Sequence, residues 1–246
     1  MNYKLLALDI DDTTTQMDVD TVSSAVQKAL DEAAQKIAVT FVTARSMQGL
    51  IRFLGNVNLP PQFHVVENGT KVIRPDRSIV YDRHIVHEEA QLILDVARPY
   101  FLMPGFLADE HWVDGTEARG NVSGLSFSCV SEFQAELLKS SILDMDTAYT
   151  VYSGRHWSEP KWYAVLVFHK GATKGSGMKY IQKQLGITKA ETIAVGDGMT
   201  DLSMFEAAGL KIAVENGEKS VVQQADFVCP SVDEGGIVEV IRTYVL

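Results

Sequence analysis

The sequence predicts an α/β fold, with a Rossmann-like parallel-sheet core into which a smaller α/β domain is inserted. Three observations lead to this prediction. Short apolar runs alternate with helical stretches near both ends of the chain, which is the order of parallel strands joined by crossover helices. Two of these runs lead into paired carboxylates, Asp9 with Asp11 and Asp197 with Asp201. In the middle third, helices alternate with amphipathic strands, as expected of a second α/β layer.

The composition is that of a folded, acidic protein. Its 246 residues are 46% hydrophobic, which is ample for the core of one large or two modest domains. The 22 Lys and Arg residues against 32 Asp and Glu residues give a net charge of −10, which disfavours a nucleic acid as the main partner. No apolar stretch approaches the ~20 residues that span a bilayer, and no signal-peptide pattern precedes the first strand. We therefore expect a cytoplasmic protein without nucleic-acid or membrane partners, either a monomer or a weak homodimer.

The two cysteines, Cys129 and Cys229, lie far apart and have no CxxC spacing. This usage fits a reducing compartment and argues against a zinc site. We expect both to be buried as small apolar residues.

The first strand, residues 5–14, begins as an apolar run and ends in carboxylates and hydroxyls, among them Asp9, Asp11, Asp12 and Thr13. Such a run is typical of a buried central strand, and ligands of open α/β sheets bind at the carboxyl ends of these strands. Asp9 and Asp11 are two residues apart on an extended chain, so they point the same way. Two carboxylates so near each other repel unless they share a cation or one of them is protonated. A Mg²⁺ ion would relieve this repulsion. An acidic turn or a helix N-cap is the alternative.

The pattern Asp9-x-Asp11-x-Thr13 after an N-terminal apolar strand resembles the first motif of the haloacid dehalogenase-like phosphohydrolases. The resemblance implies that Asp9 is a nucleophile that takes up the phosphoryl group. It implies that Asp11 protonates the leaving oxygen and then activates the hydrolytic water, while its carbonyl helps to hold Mg²⁺.

A second apolar strand, residues 37–42, follows a helix predicted over residues 19–34 and ends at Thr43. Strand, helix and strand in this order require a right-handed crossover, so Thr43 is expected at the same edge of the sheet as Asp9. The second motif of the family is a Thr or Ser at this place, which implies that Thr43 donates its hydroxyl to a phosphate oxygen. The alternative is that Thr43 caps the helix predicted over residues 46–54.

Two residues beyond this strand are candidate substrate contacts. Arg45 is expected either to bind the phosphate or another substrate anion, or to lie exposed. Asn68 follows a third short strand, residues 63–66, and precedes a hairpin predicted over residues 71–81. Asn-Gly is a turn signal by itself. An Asn-Gly also stands here in family members with a large cap, which implies that Asn68 lies on the substrate side.

Residues 83–169 resemble, in position and layout, the large α/β cap of the Cof-type and sucrose-phosphatase-like members, which is inserted between motifs two and three. We expect a catalytic core of residues 1–82 and 170–246 and a cap of residues 83–169 that selects the substrate. The predicted cap elements are helices over 88–100 and 131–143 and strands over 125–130, 148–152 and 162–168. Its candidate substrate contacts, for which packing is the alternative role, are His111, Trp112, Arg155 and His156.

The chain returns to the core through a glycine-flanked loop that reaches Lys174. This segment resembles the third motif, and it implies that Lys174 neutralises phosphate charge. A further apolar strand, residues 191–195, runs into Gly196-Asp197-Gly198-Met199-Thr200-Asp201, which resembles the fourth motif. Its glycines allow a sharp turn that brings both carboxylates toward a common point. The resemblance implies that Asp197 is a Mg²⁺ ligand and that Asp201 orients Lys174 or a water on the metal.

Two residues depart from the family pattern. Asp12 stands where Gly is usual, and it adds charge at the edge of the phosphate site unless it turns outward. Thr200 stands where Asn is usual, and its single hydroxyl replaces the two donors of an amide. We expect both changes to alter substrate affinity more than the chemistry.

The resemblance as a whole implies a Mg²⁺-dependent phosphatase that acts through an aspartyl-phosphate on a small phosphorylated metabolite, such as a sugar phosphate or a phosphoglycolate-like compound. The implied metal site comprises Asp9, Asp11, Asp197 and Asp201. The implied phosphate and substrate contacts are Thr43, Arg45, Asn68, Lys174 and Thr200. A phosphomutase of the phosphomannomutase type and a non-catalytic phosphate-binding regulatory protein remain alternatives.

Overall fold

The computed structural model describes residues 3–60, 62–108, 111–115, 120–145, 149–156, 159 and 161–246, with the backbone alone at residues 106, 108 and 111–114. The chain divides into two compact units. The core unit is residues 1–81 with 174–246, and the inserted unit is residues 82–173. The sequence predicted these boundaries after residues 82 and 169.

The chain alternates strands and helices. The strands are β1 Leu5–Leu8, β2 Ala38–Phe41, β3 His64–Val66, β4 Lys71–Ile73, β5 Ile79–Asp82, β6 Met103–Ala108, β7 His111–Asp114, β8 Gly124–Cys129, β9 Tyr149–Arg155, β10 Tyr163–His169, β11 Thr192–Gly196, β12 Leu210–Val214 and β13 Phe227–Cys229. The helices are α1 Ser24–Ala34, α2 Met47–Asn56, α3 His87–Ala97, α4 Glu132–Leu143, α5 Lys174–Leu185, α6 Leu202–Ala207, α7 Lys219–Val222 and α8 Gly236–Tyr244. Among the described residues, no helix is long and apolar enough to cross a membrane.

The core unit contains the predicted parallel sheet, in the order β13-β12-β11-β1-β2. Leu8, near the end of β1, pairs in parallel register with Phe41 of β2 and Val195 of β11. The chain therefore leaves all three strands at the same edge. The strand order runs in opposite directions on the two sides of β1, which makes its carboxyl end a topological switch point where ligands bind in such sheets.

Alternation along β1 decides which way its last side chains face. Leu6 and Leu8 pack in the cluster that contains helices α1 and α8, whereas Leu5 and Ala7 pack with helices α5 and α6. Because side chains of a strand alternate between its faces, Asp9 continues the Leu5 and Ala7 face. That face is the one covered by α5.

The first residues of helices α1 and α2 bear on the prediction in different ways. The start of α1 differs from the predicted one, and the cap of α2 decides between the two roles considered for Thr43. Helix α1 begins at Ser24 rather than at residue 19, because Ser23 caps it by accepting the N–H of Val26 at 3.2 Å. Ser46 caps helix α2 by accepting the N–H of Gly49 at 3.1 Å. Thr43 is therefore not the cap of α2, which removes the structural alternative proposed for its hydroxyl.

The small sheet β3-β4-β5 contains the predicted hairpin, and a parallel bridge between Val42 and Val65 joins it to the chain that leaves β2. His64 of β3 is buried, and its Nδ1 accepts the N–H of Phe41 at 3.1 Å. Burial lowers the pKa of this imidazole to about 4. The ring is therefore neutral in the folded protein at neutral pH.

The pH dependence of stability should reveal this buried ring. The folded-state pKa of His64 is below its unfolded value of 6.5, so the unfolded chain binds the extra proton between pH 6.5 and 4. Stability from this residue is present above pH 6.5 and is lost as pH falls, by roughly 3 kcal/mol in total. Urea unfolding of the wild type and of His64→Gln, which keeps an acceptor, measures the difference. Equal pH slopes for the two proteins would contradict the assignment.

The inserted unit is a five-stranded antiparallel sheet in the order β7-β6-β8-β10-β9. Helices α3 and α4 pack with β8, β9 and β10 in one apolar cluster. The predicted elements of this unit are found, but strands β6 and β7 were not predicted. Both cysteines are free and buried, as expected.

Candidate active site

Lys174 lies at the centre of the predicted site. It is the first residue of α5, its side chain is 2% exposed, and its Nζ lies 2.9 Å from Asp9 Oδ2 and 2.6 Å from Asp201 Oδ1. The next residue, Gly175, has no room for a side chain, because a Cβ there would lie 2.0 Å from the carbonyl oxygen of Ser203. This close approach of α5 to α6 places Lys174 between the ends of β1 and β11.

Asp201 is fully buried and holds the turn after β11. Its Oδ2 accepts the N–H groups of Asp197 at 3.0 Å and Gly198 at 2.9 Å, while its Oδ1 binds Lys174. A Cβ on Gly196 would lie 2.5 Å from the Asp201 side chain. The fourth motif therefore needs glycine at this position because a side chain there would clash with Asp201, a reason that differs from the sharp turn that the sequence predicted. Because both oxygens of Asp201 have partners, this residue positions Lys174.

Asp197 completes the acidic cluster. Its Oδ1 accepts the hydroxyl of Thr13 at 2.7 Å, so the third residue of the first motif orients the first carboxylate of the fourth motif. One carboxylate oxygen each from Asp9, Asp197 and Asp201 lies within 4.8 Å of the others. The two chain segments predicted to converge do converge.

The charges in this cluster are unbalanced. Burial raises the pKa of Asp9 well above its ordinary value, and the charges of Asp201 and Asp197 raise it further while Lys174 opposes them. Burial and the charge of Asp201 raise the pKa of Asp197 to about 7. Burial lowers the pKa of the Lys174 ammonium, but Asp201 and Asp9 outweigh it and the pKa is raised. Three carboxylates face one ammonium, so a further cation would stabilise the cluster.

The donor set fits a hard divalent cation. Carboxylate oxygens are the ligands that Mg²⁺ prefers, and Asp9 and Asp197 would hold the ion. Asp201 is close enough to contribute, although its oxygens already have partners. The Asp11 side chain is not part of this cluster.

The side chains of Asp11 and Arg45, for which the sequence predicted separate roles, are paired with each other. The Arg45 guanidinium donates from Nη2 to Asp11 Oδ1 at 2.7 Å and from Nε to Asp11 Oδ2 at 2.9 Å. Its Nη1 donates to Asp20 Oδ1 at 2.6 Å. Arg45 is therefore not an exposed residue. Because its guanidinium already binds two carboxylates, it is not available to bind a phosphate. The Asp11 side chain contacts Arg45 and is not part of the acidic cluster of Asp9, Asp197 and Asp201.

Thr43 follows strand β2 by two residues, in the place that the sequence predicted, and it is fully buried. Its Oγ1 accepts the N–H of Arg45 at 3.0 Å, which leaves the hydroxyl proton to be donated elsewhere. Its carbonyl accepts the N–H of Asn68 at 3.0 Å. Thr43 therefore keeps the donor that a phosphate oxygen would need.

Asn68 is fully buried and has a left-handed backbone, with φ of 57°. Among the described residues, neither its Oδ1 nor its Nδ2 has a hydrogen-bond partner. The preceding Glu67 is also left-handed, with φ of 55°. Burying an unpaired amide costs about 1–3 kcal/mol, so this turn is held in a costly state.

The two departures from the family pattern have different surroundings. Asp12 adopts a φ of 54°, which explains why Gly is favoured there, and its Oδ1 accepts the N–H of Met17 at 3.1 Å. Thr200 lies in the turn Met199–Asp201, where its carbonyl accepts the hydroxyl of Ser203 at 3.0 Å. Asp12 therefore binds within its own loop, while Thr200 remains a predicted phosphate contact.

In the inserted unit, His156 Nδ1 accepts the N–H of Glu159 at 3.2 Å, and its Nε2 lies 3.2 Å from the Ser128 hydroxyl. The guanidinium of Arg155 lies 5.0 Å from the centre of the Tyr163 ring. The side chains of His111 and Trp112 lie outside the described part of the structure, as does Trp157. Substrate contacts by these residues remain predictions.

Sequence reasoning missed three residues of the site. Thr13 was noted only as part of a motif, Asp20 was not singled out, and Glu218 was not considered. Glu218 donates its N–H to the carbonyl of Asp197 at 2.8 Å and accepts the N–H of Met199 at 3.2 Å. The only available signal was its place after the Asn-Gly turn that ends β12.

Fold and site together define a Rossmann-like α/β enzyme with an acidic, lysine-containing site at the carboxyl ends of parallel strands. A sequence model of the haloacid dehalogenase-like hydrolases matches residues 6–145 and 126–241, and this chain belongs to that family. The family predicted from the motifs is thereby confirmed.

Several proteins resemble the chain over nearly its whole length. YxeH of Bacillus subtilis (strain 168), which is named as a phosphatase, is 26% identical over 280 residues and covers 99% of both chains. The phosphoglycolate phosphatase of Methanosarcina acetivorans is 27% identical over 249 residues, which is 98% of this chain and 96% of that protein. The solved structure of BT4131, a subclass IIB sugar phosphatase, has a TM-score of 0.78 at 20% identity and covers 97% and 98% of the two chains. The solved structure shows the same fold, and the family assignment together with the first two relatives identifies the chain as a phosphatase-type enzyme.

Proposed function

We propose that this enzyme is a Mg²⁺-dependent phosphate monoester hydrolase that acts through an aspartyl-phosphate on Asp9. One observation carries the proposal. The Asp9 carboxylate lies at a strand end in direct contact with the buried Lys174 ammonium and next to Asp197, so a nucleophile, a fixed cation and a second metal-compatible carboxylate share one place. Phosphoryl transfer depends mainly on such positioning and charge neutralisation.

The chemistry follows from these side chains. An Asp9 oxygen attacks phosphorus, and the bond between phosphorus and the alcohol oxygen breaks. Asp11 gives a proton to that oxygen, then accepts one from the water that attacks the phosphoryl group and regenerates Asp9. Lys174 and Thr43 bind phosphoryl oxygens. A Mg²⁺ ion held by Asp9 and Asp197 supplies positive charge against the phosphoryl group when it is bound.

We propose a small phosphorylated metabolite as the substrate, either a sugar phosphate or a phosphoglycolate-like compound. The names of the relatives support this class, since one is a phosphoglycolate phosphatase and another a sugar phosphatase. The inserted unit is the proposed source of selectivity. A screen of these phosphates for kcat/KM would decide between the two kinds of compound.

Release of free phosphate tests the proposed function directly. The wild type should hydrolyse p-nitrophenyl phosphate with Mg²⁺, lose the activity in a chelator, and regain it with Mg²⁺ better than with Ca²⁺, which tolerates looser geometry. With a sugar monophosphate, a phosphomutase would return an isomeric ester and no free phosphate. A non-catalytic protein would release none from either compound.

Mg²⁺ affinity should depend on pH through Asp197. Because the pKa of this carboxyl is raised to about 7, a proton competes with the ion below that pH, and the dissociation constant should be roughly tenfold higher at pH 6 than at pH 8. Calorimetric titration of the ligand-free protein measures it. Asp197→Asn should bind weakly and lose the part of the pH dependence that comes from Asp197. A wild-type affinity that is equal at both pH values would contradict the assignment.

Asn68→Gly tests whether the unpaired amide serves the substrate. Glycine keeps the left-handed backbone without strain, and the change removes two buried unpaired atoms. We expect the free energy of unfolding to change by less than about 1 kcal/mol, while kcat/KM falls roughly tenfold or more from one lost substrate hydrogen bond. Arg77→Gly is the matched control, since Arg77 is exposed and has a φ of 69°. Unchanged kcat/KM in Asn68→Gly would make the amide a purely structural residue.

A further inference from the structure

Arg45 binds the side chain to which the proposed function gives the acid and base role. We propose that Arg45 is the positioning residue of Asp11: it holds the Asp11 carboxylate, and with it loop 11–20, in the orientation from which Asp11 reaches the leaving oxygen. The inference rests on the proposed function. It also replaces the phosphate-binding role predicted for Arg45 from the sequence.

The contact between Arg45 and Asp11 is bidentate. Nε and Nη2 of Arg45 donate to the two different oxygens of Asp11, at 2.9 and 2.7 Å. Parallel bonds of this kind fix the plane and direction of a carboxylate, which a single bond does not. The same guanidinium binds Asp20 Oδ1 at 2.6 Å and the carbonyl of Val19 at 3.0 Å. Arg45 therefore forms hydrogen bonds with both ends of loop 11–20, at Asp11 and at Asp20.

Arg45 is itself firmly anchored. Its side chain is 9% exposed, and the guanidinium lies 5.3 Å from the centre of the Phe53 ring. Its N–H donates to Thr43 Oγ1 at 3.0 Å, and its carbonyl accepts the N–H of Glu67 at 2.9 Å. The guanidinium that binds Asp11 is thus held in place next to the end of β2, near the predicted phosphate contact Thr43.

The loop needs such an anchor, because parts of its backbone are unfavourable. Asp12 and Asp18 are both left-handed, with φ of 54° and 59°, a conformation that costs roughly 1–2 kcal/mol for residues other than glycine. The N–H of Asp18 donates to Asp11 Oδ1 at 2.9 Å, beside the Arg45 bond. The Asp18 amide therefore reports whether the Asp11 carboxylate is held in place.

Arg45→Lys is the sharpest variant, because lysine keeps the positive charge and loses the planar fork. Arg52→Ala is the matched control. Arg52 also pairs with Asp20, at 3.4 Å, but it is 65% exposed and its described contacts do not include Asp11. Circular dichroism should show that both variants fold.

Two substrates separate a positioning role from a structural one. The alcohol of butyl phosphate needs a proton to leave, whereas p-nitrophenolate leaves with little help, so a misplaced acid affects the butyl ester more. In Arg45→Lys, we expect kcat/KM to fall about a hundredfold for butyl phosphate and less than about tenfold for p-nitrophenyl phosphate. Arg52→Ala should change neither. When Arg45→Lys is added to a protein that already carries Asp11→Asn, the ratio of kcat/KM for butyl phosphate to kcat/KM for p-nitrophenyl phosphate should not change. Equal losses for both esters in Arg45→Lys would overturn the inference.

A measurement on the ligand-free protein keeps the inference separate from the proposed function. Hydrogen exchange at the Asp18 amide should be faster in Arg45→Lys, on the order of tenfold, and unchanged in Arg52→Ala. If the wild type hydrolysed neither ester, the proposed function would fail, and a faster Asp18 amide would still show that Arg45 holds Asp11. Unchanged Asp18 exchange in Arg45→Lys would overturn the inference whatever the activity.

Discussion

Asp9→Asn is expected to reduce phosphate release by on the order of 10⁴-fold or more while the protein stays folded. The amide has nearly the shape of the carboxylate but is a poor nucleophile, so the attack on phosphorus is lost. Stability should not fall, because burial and the charges of Asp201 and Asp197 already raise the pKa of Asp9 and disfavour its ionised form. Burst kinetics and thermal unfolding of the same preparation measure the two effects.

Asp12→Asn is the matched control for this change of charge. Asp12 is three residues along the same loop and accepts the N–H of Met17, so losing its charge should alter kcat by less than about tenfold. If Asp9→Asn kept more than a trace of activity at unchanged stability, Asp9 would not be the nucleophile. A comparable loss in both variants would point to net charge as the cause.

Lys174→Met should affect both stability and activity. The ammonium is buried between Asp9 and Asp201, and removing one partner of a buried ion pair costs about 3–5 kcal/mol because the remaining charges are left uncompensated. Turnover should fall by roughly 10²–10³-fold on every substrate, since all of them present the same phosphoryl group to this cation. Urea unfolding and kcat on aryl and sugar phosphates measure these losses.

Lys170→Met makes the same chemical change at an exposed lysine four residues earlier. It should shift the free energy of unfolding by less than about 0.5 kcal/mol and leave kcat unchanged. A stability loss in Lys174→Met no larger than in Lys170→Met would contradict the buried ion pair. Loss of activity on one substrate class alone would move Lys174 from phosphate binding to substrate selection.

The core and the convergence of its motifs could be predicted because they depend on local patterns and one topological rule. Short apolar runs identify β1, β2 and β11, and a right-handed crossover forces their carboxyl ends to one edge. Asp9, Thr43 and Asp197 follow directly from their places after these strands. Lys174 could be placed only through the resemblance, because a lysine in a glycine-rich loop has no distinctive pattern.

Strands β6 and β7 could not be predicted from their residues. Strand β6 begins Met103-Pro104-Gly105, and proline and glycine normally argue against a strand. Long-range pairing with β8 creates this strand, since Pro104 lies opposite Phe127 in the antiparallel register. Such pairing depends on distant residues that a local pattern does not contain.

The partner of Arg45 was unpredictable for a similar reason. A guanidinium binds a carboxylate or a phosphate equally well, so the choice depends on which anion the fold brings near. Loop 11–20 brings Asp11 and Asp20 to Arg45 through left-handed residues at Asp12 and Asp18. Aspartate tolerates that backbone but does not predict it.

Chemical trapping of the phosphorylated enzyme tests the central claim, that Asp9 carries the phosphoryl group. The wild type, mixed with p-nitrophenyl phosphate and Mg²⁺ and quenched into borohydride during turnover, should contain homoserine at position 9, because borohydride reduces an acyl phosphate and leaves free carboxylates intact. Peptide mass spectrometry locates the product. Homoserine at position 9 that appears only with substrate is the expected result. Homoserine at Asp11, Asp197 or Asp201, with aspartate intact at position 9, would contradict it.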